Sequence, residues 1–387
     1  MGKRAPNGFG SIRKVQKNGK FYWEGRYTDP ILHKQQYVSG TTYKICVQKL
    51  REKQAKIFTG QYVPPQRQTL GAYLDTWLES RVNLEPTTKV VYERCIRLYI
   101  KPHLGRIKLQ ELRRTHCQQM IHQIANDPKR KKQLTAGTIR NISRTLCKAL
   151  ADAKRSDLIG NNPASELELP RMEKKPPKVL QSAEQIEFLK TIQGSPYEQL
   201  YKFALFTGVR ISEALGLQWK NIDMQSGEIL IDKQLTRKTG NSVERKLKGT
   251  KNHVHRTIIA PPYVLDVLRV QSVRQKEMRL KAGPLWQNTD GLVFCKEDGL
   301  PLPHNTITKN FKSVAQKLGR PELCFHDLRH TYVTDSLKAG VDIKTVSALA
   351  GHSSIVITAD TYAAASIEMK QSAADRRQAE YEKKNHA

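Results

Sequence analysis

The sequence predicts a multidomain α+β protein. It is expected to hold a small three-stranded sheet plus helix at 1–66 and a helical part at 67–172. The last part, 173–387, should be mostly α with a small antiparallel sheet. Three observations carry this reading. Short alternating runs around an Asn-Gly turn give way to a helical pattern before residue 60. Two polar, proline-bearing stretches, Val63-Pro64-Pro65-Gln66 and ELPRMEKKPPK at 168–178, separate segments of different pattern. A chain of 387 residues can build two or three cores.

In the first part, Lys17-Asn18-Gly19-Lys20 predicts a tight hairpin. Phe21, Trp23 and Tyr27 then fall on one face of a strand, with Tyr22, Glu24 and Arg26 on the other. The run TTYKICVQKLREKQAKIFTG reads as a helix capped by Thr41 or Thr42 and stopped by Gly60. The face bearing Arg13 and Arg26 is a candidate DNA surface. Packing of an aromatic face is the plainer alternative.

The middle part reads as helices. TLGAYLDTWLESRV starts at Thr69 and places Leu70, Leu74, Trp77 and Leu78 at helical spacing. PTTKVVYERCIRLYI is expected to end before Lys101-Pro102. LQELRRTHCQQMIHQIAN and TAGTIRNISRTLCKALADAKRSDLIG follow, the last stopping near Gly160. Met120, Ile121, Ile124, Leu146 and Leu150 form core stripes. The basic loop at 127–132 is a solvated surface or a phosphate contact, with nothing to separate the two.

The last part opens at Ser182, where S-A-E-Q has the form of a capping box. A second helix, YEQLYKFALFTG, stops at Gly208. EILID and HRTIIA are strand-like and flank a Lys-rich excursion. PYVLDVLRVQSVRQKEMRLK is a long helix, and GLVFCKEDGLPL has a turn at Glu297-Asp298-Gly299. The remainder is helical in pattern, including the charged tail.

Charge narrows the partner. Sixty-six Lys+Arg face 36 Asp+Glu, a net of +30. Counted by part, the basic and acidic residues are 13 and 3, 20 and 10, and 33 and 23, so each part nets +10. An even positive field fits a long polyanion through counterion release. The six cysteines are scattered with no C-x-x-C pair. That argues against a zinc site or a disulfide framework and fits a reducing, cytoplasmic setting. The N-terminus lacks an apolar run, and no stretch is long and apolar enough to span a membrane.

The chemistry gathers at 325–362, FHDLRHTYVTDSLKAGVDIKTVSALAGHSSIVITADTY. His326 and Arg329, three apart on a helix, share a face and could meet one phosphate. His352 follows a Gly where a short helix should stop. Tyr362 comes ten residues later. A tyrosine with an ordinary pKa of about 10 becomes a nucleophile only beside cations that stabilise its phenolate. FTGVRISEALGLQW, at 206–219, adds Arg210 in the elbow between two helices. There Ser212 could cap the second helix and Glu213 could orient the arginine. Taken singly, each of these groups is as well explained by an ion pair or by core packing.

Taken in order, FTGVRISEALGLQW, HDLRHTYVT, LAGHSS and TADTY closely resemble the tyrosine recombinase, or phage integrase, family. The resemblance covers about residues 178–365. The part at 67–172, PHLGRIKLQEL above all, is similar to the family's core-binding domain. The N-terminal sheet and helix are similar to the arm-binding domain of integrases from prophages and conjugative transposons. The resemblance implies that Arg210 and Arg329 hold the scissile phosphate, that His326 assists proton transfer, and that His352 hydrogen-bonds the phosphate. Tyr362 would attack to give a 3′-phosphotyrosyl link and a free 5′-hydroxyl. The leaving oxygen would take its proton from a hairpin lysine. In KLKGTKNHVHRTIIAP this is Lys251, five before Arg256, with Lys248 and Lys246 as alternatives. His253 and His255 depart from the common pattern.

By the same resemblance no cofactor, metal or ATP is needed. The partners are double-stranded DNA attachment sites, acted on by a homotetramer through a four-way junction. An excisionase or a host DNA-bending protein is a further partner class. A chromosome-dimer resolvase usually lacks an extra N-terminal domain, so the sheet at 1–66 favours an integrase of a mobile element, acting in integration and excision. A type IB topoisomerase would act without strand exchange between sites. A purely DNA-binding regulator would have no use for the full Arg, His, Arg, His, Tyr set. By analogy the tail after Tyr362 packs on a neighbouring protomer; a frayed terminus is the plainer reading.

Overall fold

The computed structural model describes residues 11–17, 19–30, 33–59, 67–128, 130–173, 176–236, 247–249, 255–352 and 354–363, with 374, 377, 378, 381 and 382. At 17 and 360–363 only the backbone is described. The chain divides into two compact units, 1–173 and 174–387.

The first unit opens with strands β1 (Ile12–Lys17), β2 (Lys20–Thr28) and β3 (Gln35–Gly40), antiparallel in that order. Lys17 pairs with Lys20, so the turn is the expected two residues, and Gly19 takes φ +76°. That left-handed conformation is open to glycine at little cost. Helix α1 (Tyr43–Phe58) starts where the Thr42 hydroxyl accepts the Ile45 N–H at 3.3 Å. Tyr27 and Leu50 make a small core with Ile12, Val38 and Ile57. The predicted aromatic stripe is only partly internal. Tyr27 is buried, Trp23 meets Tyr43 edge-on, and Phe21 is 58% exposed. Arg13 on the opposite face is paired across strands with Glu24 at 2.8 Å.

A second core lies in helices α2 (Leu70–Glu79), α3 (Pro86–Cys95), α4 (Lys101–Leu104), α5 (Arg114–Ala125) and α6 (Ala136–Arg155). Thr69 and Thr135 cap α2 and α6 with their hydroxyls. Leu70, Leu74 and Trp77 pack with Met120, Ile121, Ile124, Leu146 and Leu150, as the periodicity predicts. One expectation fails: the helix does not end before Lys101-Pro102. A π-type turn at Ile96–Ile100 joins α3 to α4. The widened turn accommodates a proline that lacks an N–H and would crowd the preceding turn of a regular helix. In the basic loop, Arg130 pairs with Asp127 at 3.1 Å and lies over the Tyr99 ring. A domain boundary near residue 66 remains our proposal, supported by the separation of these two cores.

The second unit holds α7 (Ser182–Ile192), α8 (Glu198–Thr207), α9 (Ile211–Leu215), β4 (Glu228–Ile231), β5 (Lys233–Leu235), β6 (Leu247–Gly249) and β7 (Arg256–Ile259). Then come α10 (Pro262–Ala282), α11 (His304–Lys317), α12 (Phe325–Lys338), α13 (Ile343–Ala350) and α14 (Ile355–Ala363). β4 pairs with β7, and β5 with β6, both antiparallel. Helix α8 packs on α10 and α12, and its Tyr201 and Phe203 are fully buried. The predicted turn at 297–299 is present, with Gly299 at φ +83° and Cys295 bridged to Pro301.

Two predicted caps are displaced. Ser182 is the first helical residue of α7 rather than its cap. The box is closed by Glu184, which accepts the Gln181 N–H at 2.8 Å. Ser212 likewise lies inside α9, and its Oγ sits 3.0 Å from His304 Nε2. Among the described residues, no helix is long and apolar enough to cross a membrane.

Candidate active site

Helix α8 ends at Gly208, which is left-handed at φ +63°. The chain then turns, and Arg210 becomes the N-cap of α9. Glu213 holds it from both ends. Oε2 accepts the Arg210 backbone N–H at 3.0 Å, and Oε1 accepts from Nη1 at 2.7 Å. The Arg210 Nη2 reaches across to the Gly351 carbonyl at 2.6 Å. Glu213 is buried, and its Oε2 also accepts from Arg256 Nη2 at 2.7 Å. Arg256, the first residue of β7, further donates from Nε to the Leu349 carbonyl at 2.8 Å.

On α12, His326 and Arg329 share a face, as their spacing predicts. Arg329 is 1% exposed. Its Nη1 donates to the Gly208 carbonyl at 2.9 Å, and its Nε to His352 Nε2 at 3.3 Å. Its buried Nη2 has no hydrogen-bond partner among the described residues. His352 follows Gly351, the left-handed end of α13, and its Nδ1 lies 2.7 Å from the Thr358 hydroxyl. His326 stacks edge-on against His330, with ring centres 4.9 Å apart.

The electrostatics follow from crowding cations around one carboxylate. Burial would raise Glu213. The hydrogen bond and charge of Arg256, with the charge of Arg210, overcome this and hold it at about 2. Burial and then the Arg210 charge press Arg329 down to about 9, still far enough above neutrality to keep it charged. Burial followed by the Arg329 and Arg210 charges lowers His352 to about 3. His326, which keeps an exposed side, is lowered to about 4 by desolvation, His330, Arg329 and Arg210. Three guanidiniums, Arg210, Arg256 and Arg329, thus surround one bonded carboxylate, and both histidines are neutral at pH 7. The arrangement suits an anion with several acceptor oxygens.

The structure brings Arg210, Arg329 and His352 into one bonded network, with His326 beside them. The backbone of Tyr362 lies on α14, one helical turn after Thr358. Lys251 and Lys246 lie outside the described residues. Lys248 is an exposed residue of β6 opposite Gln234. Sequence reasoning used Arg256 only as a register mark and passed over Thr358. An arginine in the short strand RTII was the available signal for the first. Nothing local marked the second.

Comparisons with known proteins identify the family. Residues 178–369 match the phage integrase family, and 69–125 match the phage integrase N-terminal SAM-like domain. A XerC-like tyrosine recombinase of Caldanaerobacter subterraneus subsp. tengcongensis is 31% identical over 370 residues, covering 89% of this chain and 93% of its own. The chain belongs to the phage integrase family of tyrosine recombinases. This tyrosine recombinase is also 28% identical over 234 residues to the ICEBs1 integrase of Bacillus subtilis, covering 59% of this chain and 62% of the relative. In fold it is similar to the Tn1549 transposon integrase solved with circular intermediate DNA. The TM-score is 0.67 at 23% identity, over 80% of this chain and 99% of the other.

Proposed function

We propose that this tyrosine recombinase cuts and rejoins double-stranded DNA at attachment sites of a mobile element through a 3′-phosphotyrosyl intermediate. The observation that carries the reading is Arg329. It is a buried guanidinium whose Nη2 has no hydrogen-bond partner among the described residues, next to Arg210, and the Glu213 carboxylate beside it is already shared by Arg210 and Arg256. Burying such a charge unpaired is costly. A phosphodiester supplies the missing acceptor. In its five-coordinate transition state the non-bridging oxygens gain charge, and fixed guanidiniums then bind more tightly than in the ground state.

Arg210 and Arg329 hold those oxygens. His352 donates to one of them. His326, neutral without the anion, gains basicity once the phosphate offsets the arginines, and it handles the proton of the Tyr362 phenol. The Tyr362 oxygen bonds to phosphorus while the bond to the 5′-oxygen breaks. That oxygen takes its proton from a hairpin lysine, Lys251 by the spacing from Arg256. The ester is conserved as phosphotyrosine, so the 5′-hydroxyl of a partner strand can reverse the step. Two such rounds within a homotetramer exchange two duplexes through a Holliday junction. The even excess of positive charge supports DNA as the partner along the whole chain. The likeness to the ICEBs1 integrase supports the mobile-element assignment.

The test is a nicked duplex whose short cleaved strand diffuses away. The wild type should accumulate covalent protein–DNA, and Tyr362→Phe should not. An adduct formed by Tyr362→Phe would move the nucleophile elsewhere. No adduct with either protein on a bound site would end the recombinase reading.

A further inference from the structure

Thr358 lies four residues before Tyr362 on α14, one turn back along the same face. It is wholly buried. Its hydroxyl is 2.7 Å from His352 Nδ1, while the other ring nitrogen, Nε2, accepts from Arg329 Nε at 3.3 Å. A neutral imidazole has one proton. With Nε2 accepting from a guanidinium, that proton sits on Nδ1, and the Thr358 oxygen accepts it.

A bound phosphate changes what Nε2 faces. A non-bridging oxygen can only accept, so Nε2 must carry the proton to bond it. Nδ1 is then the acceptor and needs a donor. A hydroxyl rotates to donate as readily as to accept. A methyl group in the same place does neither and leaves a ring nitrogen unsatisfied in the interior.

We infer that Thr358 is a positioning residue whose hydroxyl serves both tautomers of His352. It lets the ring change from accepting the Arg329 N–H to donating to the scissile phosphate, and it keeps α14 docked on that ring throughout. The inference rests on the phosphodiester reading above. The proton balance is closed. One proton leaves Nδ1 to solvent and one arrives at Nε2 from solvent, to which the His352 residue is partly exposed. The threonine proton reorients without leaving its oxygen. The register of the nucleophile helix is thereby tied to the state of the phosphate site through one side chain.

The experiment uses the full chain as wild type, Thr358→Val and Thr358→Ser. Orthovanadate binding is followed by calorimetry. Adduct formation is timed on a nicked duplex carrying the core site mapped by footprinting. The His352 tautomer is read from ¹⁵N-histidine spectra with and without vanadate. Valine should weaken vanadate binding and slow adduct formation on the order of tenfold, and serine should restore both to within about twofold. The wild-type His352 signal should pass from the Nδ1–H to the Nε2–H pattern when vanadate is added, a change that a purely packing role would not produce. Valine equal to wild type, serine as impaired as valine, or an unchanged tautomer would each overturn the inference and leave the recombinase reading intact. A wild type that neither binds vanadate nor forms an adduct would remove the phosphodiester reading, and this inference with it.

Discussion

Arg256 donates to Glu213 at 2.7 Å, and through that carboxylate it sets the orientation of Arg210. Glu213 therefore has two guanidinium partners in a buried setting. Arg256 also spans to the Leu349 carbonyl, so β7 and the end of α13 are held to the same point. Replacing Arg256 with Met should leave the carboxylate with one partner and cost about 3 kcal/mol. Arg256→Lys should recover part of the stability but little cleavage, because an ammonium cannot make both bonds in the same geometry. Urea denaturation followed by adduct assays separates the two. A fully active Arg256→Met would show that Arg210 is oriented without it.

Three groups of the site should make stability fall with acid. His352 is held at about 3 and His326 at about 4, against an ordinary 6.5. Between those values the unfolded chain binds more protons than the folded one. Their contribution is complete above 6.5 and is lost as pH falls towards the folded values. Glu213, held at about 2 against 4.5, acts with the same sign in a lower window. The urea midpoint of the second unit should therefore decline steadily from pH 6.5 downward. His352→Gln should flatten the slope from 6.5 down to about 3 and leave the Glu213 contribution between 4.5 and about 2. A midpoint that rises on acidification would show that the histidines fold in the charged form.

Gly208→Ala tests the helix junction. The glycine is at φ +63°, and an added Cβ would lie 2.3 Å from Tyr332 Cδ1. Backbone strain and overlap should together cost at least about 2 kcal/mol. The Gly208 carbonyl also accepts from Arg329, so cleavage should fall further than stability alone accounts for. Thermal denaturation and the adduct rate, taken on the same preparation, check this.

The hairpin lysine can be identified by chemistry. A sulfur in place of the bridging 5′-oxygen leaves without needing a proton. Alanine at the true general acid should slow cleavage of the ordinary substrate by about 100-fold or more, and the sulfur substrate should restore the rate. We expect this of Lys251→Ala and not of Lys248→Ala or Lys246→Ala. Rescue of Lys248→Ala instead would place the acid on β6.

Much of this was legible in the sequence. Helical periodicity found α2, α6, α8 and α10, and the left-handed stops at Gly208 and Gly351 were marked by glycine itself. Arg210, His326, Arg329 and His352 come together because their spacing relative to helix ends survives folding. The misses share a cause. Ser182 and Ser212 have the residue type of caps, but Glu184 closes the box on Gln181, one residue before the first serine, and Glu213 closes it on Arg210, two before the second. Pro102 looked like a stop, but one wide turn lets the helix pass it. Arg256 and Thr358 serve the site through contacts 43 and six residues away in sequence. No local pattern encodes such pairings.

The Arg329 nitrogen that has no partner among the described residues has a thermodynamic consequence for handling the protein. Whatever anion satisfies it binds the folded chain and not the unfolded one. At a hundred times its dissociation constant such a ligand adds about 2.7 kcal/mol to folding stability. Melting temperatures measured in phosphate or sulfate buffer should then exceed those in chloride at equal ionic strength. Under the proposed function, the backbone of the DNA would be the missing piece of this domain's interior.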